Sequence, residues 1–217
     1  ACGLARRGFT SAVDGLGGPQ GFVPAHHPQH DSSEAILPDG SETSFMFADV
    51  RHKLHACCHG AHAMIEGLRN LVAAHDITAQ NLAVLSIRVH PRWLKVCDMK
   101  APRTGLEVKF SYVFLAAMVL HHIDTAAYQS YDDSICGDAG LIATASKITV
   151  IGDEAISDGA VNVSADTQTG VRHTTDFDLM DPIDLSVLGP RLVAKASVLI
   201  GPARAEKIWE SMDDLDS

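Results

Sequence analysis

The sequence predicts an α+β fold: a two-layer unit with a mixed or antiparallel sheet and helices on one face, spanning roughly 45–177, with helical segments on either side. Three observations predict it. Apolar residues recur at threes and fours from Gly60 to His75. Short β-branched runs then return between Leu85 and Thr175, and helical periodicity resumes after Pro182.

The chain opens with Ala1-Cys-Gly-Leu-Ala-Arg-Arg-Gly8, the tail of a helix capped by Gly8, which reads as an interior cut, with a processed N-terminus as the alternative. Residues 17–44, rich in Gly, Pro, His, Ser and Asp, read as a linker, and the histidines between His26 and His30 as a solvated loop. The Gly60–His75 stripe, with Ala61, Met64, Ile65, Leu68, Leu71 and Val72 on one side, predicts an amphipathic helix. Leu85, Ile87 and Val89 alternate with polar residues before Pro91 and predict a half-buried strand. Thr104, with Glu107 three residues later, predicts a capping box opening a buried helix that runs to His122. A weaker helix is expected over Asp132–Ala145, followed by a strand at Lys147–Ile151. Val161–Ala165 and Val171–Thr175 read as a hairpin turning at Gly170. Pro182–Ile200 and Ala203–Leu215 read as two helices divided by Gly201-Pro202.

Composition excludes some functions. A net charge of −10 argues against nucleic acid, whose phosphates need clustered Lys and Arg. The longest apolar run, Tyr112–Leu120, falls far short of the roughly 20 residues that span a bilayer. Five cysteines at irregular spacing, with no secretory signal ahead of them, predict reduced thiols and a cytoplasmic protein.

The densest chemistry lies between Lys53 and Gly67, in Lys-Leu-His-Ala-Cys-Cys-His-Gly-Ala-His-Ala-Met-Ile-Glu-Gly. A helix starting near Cys58 would put Cys58 and His62 on one face, at a positive dipole end that favours a thiolate or a bound carboxylate. Lys53 adds a cation just upstream. Such a corner can hold an anionic substrate and move a proton beside its carboxylate. The same residues also read as small buried thiols with packing histidines. A zinc site on Cys58 and His62 lacks a second pair at the usual distance, so no metal is expected.

Three ordered segments carry a family resemblance. They are Leu4-Ala-Arg-Arg-Gly8-Phe9-Thr10 with Leu16-Gly-Gly-Pro19-Gln-Gly21-Phe22, then Lys53-x4-Cys58-x3-His62-x2-Ile65-Glu66-Gly67-Leu68, then Pro102-x-Thr104-Gly105-Leu106-Glu107-Val108-Lys109-Phe110-Ser111. Together with Asp181-Pro182 through Arg204, they resemble the C-terminal part of the MmgE/PrpD family, which includes 2-methylcitrate dehydratase, iminodisuccinate epimerase and cis-aconitate decarboxylase. His55-Ala56 stands where the family has an aromatic-proline pair, and Glu66 where it has aspartate.

The resemblance implies a homodimeric enzyme without metal or cofactor, in which a large helical domain and a smaller α+β lid enclose the active site. It divides the chain into 1–44, the end of the helical domain with the linker; 45–177, the lid; and 178–217, helices returning to the helical domain. It implies a small di- or tricarboxylate substrate and dehydration, epimerisation or decarboxylation next to a carboxylate. Lys53 and Cys58 would be catalytic, and His62 and Lys109 would bind substrate or support the site. The family's remaining acid/base residues would lie upstream of Ala1, leaving this chain inactive by itself. The alternative is a noncatalytic remnant or binding domain that pairs with a separate helical half.

Overall fold

A computed structural model describes residues 2–10, 13–16, 18, 21–26 and 50–213. The chain forms two compact units, Ala1–Arg51 and His52–Ser217. The first contains two short helices, α1 (Cys2–Ala5) and α2 (Phe22–His26). Gly8 adopts φ +82°, the left-handed conformation that ends a helix most easily when no Cβ is present. Most of the expected linker at 17–44, the rest of the His26–His30 cluster and the 44/45 boundary lie outside the described residues.

The second unit is built on a four-stranded mixed sheet in the order β2-β1-β3-β4. Its strands are β1 (Leu82–Val89), β2 (Ile148–Gly152), β3 (Ala160–Thr167) and β4 (Arg172–Asp178). β1 pairs parallel with β2 and antiparallel with β3, and β4 closes the expected hairpin through Gly170 at φ +81°. Register explains the two faces. Leu85, Ile87 and Val89 stand opposite Ala165, Val163 and Val161, and these residues are buried. The alternate row is polar: Arg88, Asn162 and Asp176 align, and Asn162 Nδ2 donates to Asp176 Oδ1 at 2.8 Å. A sheet polar on one side and apolar on the other must cover only the apolar side.

α3 (His62–His75) covers that apolar side over β3 and β4, with Met64, Ile65, Leu68 and Leu71 inward. Gly67 lets it sit close, since a Cβ there would meet Val161 at 3.2 Å and Phe177 at 3.3 Å. α6 (Tyr112–Leu120) is buried along its whole length, packed against α3, α7 (Ala139–Ala145) and β2.

Three expected helices differ in detail. The run from Thr104 is two helices, α5 (Gly105–Val108) and α6, because Lys109–Ser111 turns out to pair elsewhere. Met99 N–H donates to Phe110 O, and the Ser111 hydroxyl caps α6 by accepting from Phe114 N–H. Asp132–Ala145 is likewise broken, a tight 3-10 turn over Asp133–Gly137 preceding α7, whose cap is Asp138. The helix expected from Pro182 starts later, as α8 (Leu185–Ile200), where the Asp184 carboxylate accepts from Ser186 N–H. α9 (Pro202–Asp213) follows Gly201 at φ +88°. Residues 94–97 complete the elements as α4 (Leu94–Cys97).

Candidate functional site

The Lys53–Gly67 segment enters α3 through a single 3-10 turn, His59–Ala61, so the α-helix begins at His62 rather than near Cys58. Gly60 is required in that turn: a Cβ would lie 2.3 Å from the Trp93 ring. Cys58 is the residue before the turn, and its carbonyl accepts from Ala61 N–H and from His62 Nδ1, both at 3.1 Å.

His62 is buried, and both of its nitrogens are engaged. Nε2 accepts the His55 N–H at 3.2 Å, so the ring proton must sit on Nδ1, facing the Cys58 carbonyl. Burial first, then the charge near His55, lowers its pKa to about 3. His62 is therefore a neutral strut that ties the two halves of the segment together.

His55, 2% exposed, forms the second tie. Its Nε2 lies 2.8 Å from Glu66 Oε1 and its Nδ1 2.8 Å from Thr125 Oγ1. Arg191 of α8 donates to the same Glu66 oxygen at 2.6 Å. Burial pushes the Glu66 carboxyl up, but the hydrogen bonds from His55 and Arg191 outweigh it and hold the group at about 2. Glu66 is thus an ionised, paired carboxylate inside the fold. Two of the departures from the family box, His55 and Glu66, are each other's partners.

The thiols sit beside these ties. Burial pushes the Cys57 thiol up to about 12, against the nearby Lys53 charge. Burial and a hydrogen bond with Cys58 also raise Cys97. Cys58 itself is half-buried, and Cys57, Cys58, Cys97 and Cys136 are free thiols. Cys58 N–H donates to the Lys109 carbonyl at 3.0 Å, which fixes the segment to the break between α5 and α6. Lys109 Nζ lies 5.0 Å from the Tyr131 ring centroid. Lys53 is exposed, and its charge acts on Cys57, His59, His62 and Lys195. Lys53, Cys58, His62 and Lys109 therefore share one corner of the unit.

Gly105 anchors the Lys109 side. Its N–H donates to Asp133 Oδ1 at 2.7 Å, and a Cβ would fall 1.6 Å from the Tyr131 carbonyl. The Thr104 hydroxyl accepts from Glu107 N–H, while the Glu107 carboxylate accepts from Arg103 N–H, one residue before the cap. Among the described residues, no group of three His, Cys, Asp or Glu side chains is arranged to hold a metal ion. No described helix is long and apolar enough to cross a membrane.

Residues 55–179 match the MmgE/PrpD C-terminal domain. The chain belongs to the MmgE/PrpD family. The matched span takes in Cys58, His62 and Lys109, starts two residues after Lys53, and ends before α8. No curated protein matches the chain. Sequence reasoning passed over His55, Glu66, Thr125, Arg191 and Lys195 as participants in this MmgE/PrpD corner. The one local signal was the pair of departures at His55 and Glu66; Thr125 and Arg191 reach the segment from 70 and 125 residues away in sequence.

Proposed function

We propose that the chain is the C-terminal portion of an MmgE/PrpD-like lyase or isomerase acting on a small di- or tricarboxylate. Chemistry starts at the carbon next to a carboxylate and leads to dehydration, epimerisation or decarboxylation. In this reading the Lys53 ammonium binds a substrate carboxylate or takes part in proton transfer, and Cys58 faces the reacting carbon. Lys109 adds a second cation, and His62 positions Cys58 without exchanging protons itself. The observation that carries the reading is the convergence of Lys53, Cys58 and Lys109 on one corner of a domain matched to this family. A carbanion forming beside a carboxylate carries extra negative charge, and preorganised cations stabilise it more than they stabilise the ground state.

Further parts of the reading concern the whole protein. The remaining acid/base residues belong to a helical domain, residues 178–217 dock onto that domain, and the enzyme is a cytoplasmic homodimer needing no cofactor. The exposed apolar side chains of α8 and α9, among them Leu185, Val187, Ile208 and Met212, support such docking. They equally suit a helical half supplied as a separate chain.

The test is turnover of 2-methylcitrate, cis-aconitate and iminodisuccinate by the protein joined to its helical domain. One of the three should react, and Lys53→Ala and Cys58→Ala should each lower kcat/KM by about 100-fold or more. Near-normal turnover by Lys53→Ala would remove Lys53 from the reaction.

A further inference from the structure

A cleft of about 200 Å³ opens between α3 and α8, and neither Cys58 nor Lys109 lines it. Its walls carry Leu54, His55, Arg69, Asp124, Arg191 and Lys195. Three cations and one carboxylate thus line the cleft, Arg191 being paired as well with Glu66, in a chain whose net charge is −10. Such a local reversal of sign inside a concave wall concentrates anions.

The cations have donors to spare. Arg69 makes no ion pair or hydrogen bond among the described residues. Arg191 uses one guanidinium nitrogen on Glu66, and Lys195 donates to the Lys53 carbonyl. A guanidinium offers five N–H donors and an ammonium three, so most of the set is unspent. Arg191 and Lys195 stand four residues apart on one face of α8, opposite Arg69 of α3. Asp124 is the carboxylate of this wall, and its Oδ1 is already engaged, accepting from Ala126 N–H at 2.8 Å.

We infer that the α3–α8 cleft binds a small multivalent oxyanion, held through carboxylate or phosphoryl oxygens by Arg69, Arg191 and Lys195. At about 30 Å³ per water the cleft has room for six or seven waters, which suits a compact polyanion better than a nucleotide. Lys195, whose pKa is lowered by burial and then by the Lys53 charge, gains a counter-charge when the anion binds. The site also reports to the neighbouring corner, since Lys195 holds the Lys53 carbonyl and His55 forms both a wall of the cleft and the partner of Glu66. It stands whether or not Lys53 and Cys58 are catalytic.

Calorimetric titration of the 217-residue chain with citrate and, separately, with inorganic pyrophosphate tests the assignment. At least one should bind with Kd below about 1 mM. Arg69→Ala and Lys195→Met should each weaken it about tenfold, as expected for loss of a charged hydrogen bond. Arg172→Ala, which removes an exposed cation already paired with Asp166, should leave the affinity unchanged. Binding of citrate alone assigns carboxylate oxygens, and binding of pyrophosphate alone assigns phosphoryl oxygens. Amide shifts in the unmodified chain should centre on residues 54–55 and 124–126, a readout that needs no variant to fold. Absence of binding by both anions, equal binding in Arg69→Ala, or shifts centred elsewhere would each overturn the site.

Discussion

α3 and α8 are amphipathic helices of 14 and 16 residues in the same compact unit, yet they are held in different ways. α3 buries His62 through Leu68 and Leu71 over the sheet. α8 buries only Gly189, against the Trp209 ring of α9, and reaches the rest of the unit through Arg191 on Glu66 and Lys195 on the Lys53 carbonyl. Position along α3 is thus set by many dispersive contacts, whereas α8 is set by a few charged hydrogen bonds. A helix held in the second way can be released without disturbing the core.

The sharpest test of that difference is truncation within α3. Leu68→Ala leaves a cavity in a fully buried position and should cost about 3–5 kcal/mol in urea unfolding. An effect below 1 kcal/mol would mean that α3 does not hold the core together. Next in size is the tie between the two helices. Arg191→Met leaves Glu66 with only His55 and should cost about 1.5–3 kcal/mol, with faster amide exchange confined to α8 and α9. Equal acceleration in α3 would show that the two helices open together.

Acid probes the same tie without mutation. His62 and Glu66 both have folded pKa values below their ordinary 6.5 and 4.5, so the stability they contribute is complete above those values and is lost as pH falls. The His62 share should fade between pH 6.5 and about 3, and the Glu66 share between 4.5 and about 2. Each group costs at most about 1.4 kcal/mol per pH unit, so urea midpoints should drop steadily from pH 6.5 downward. A flat profile to pH 4 would contradict the buried neutral His62. The smallest effect should come from Leu199→Ser on the exposed side of α8, within about 0.5 kcal/mol in the isolated chain. Under the proposed docking of α8 onto a helical domain, the same change should weaken that docking, and no effect there would argue against burial of that face.

The sequence revealed the two helices more readily than what holds them. Met64, Ile65, Leu68 and Leu71 announce α3 because a buried stripe leaves a local period, and Leu85, Ile87 and Val89 announce β1 for the same reason. The break at Lys109–Ser111 left no such mark, because it is made by partners at Met99 and Cys58. In the candidate site, Lys53, Cys58, His62 and Lys109 stood out by residue type and resemblance. The His55–Glu66–Arg191 tie did not, since hydrogen bonds between segments far apart in sequence have no periodicity. The Arg69–Lys195 cleft was hidden too: α3 and α8 each carry an ordinary number of cations, and only packing gathers them.

The position of β1 also bears on how the chain acquires its fold. This central strand ends at Val89, but its parallel neighbour begins only at Ile148 and its antiparallel one at Ala160. Loop closure across that distance must precede any ladder, whereas β3 and β4 can zip through a tight turn at once. During synthesis β1 therefore emerges as an apolar segment with two open edges and waits for the hairpin to leave the ribosome. Truncations ending anywhere between Val89 and Asp178 should be prone to aggregation.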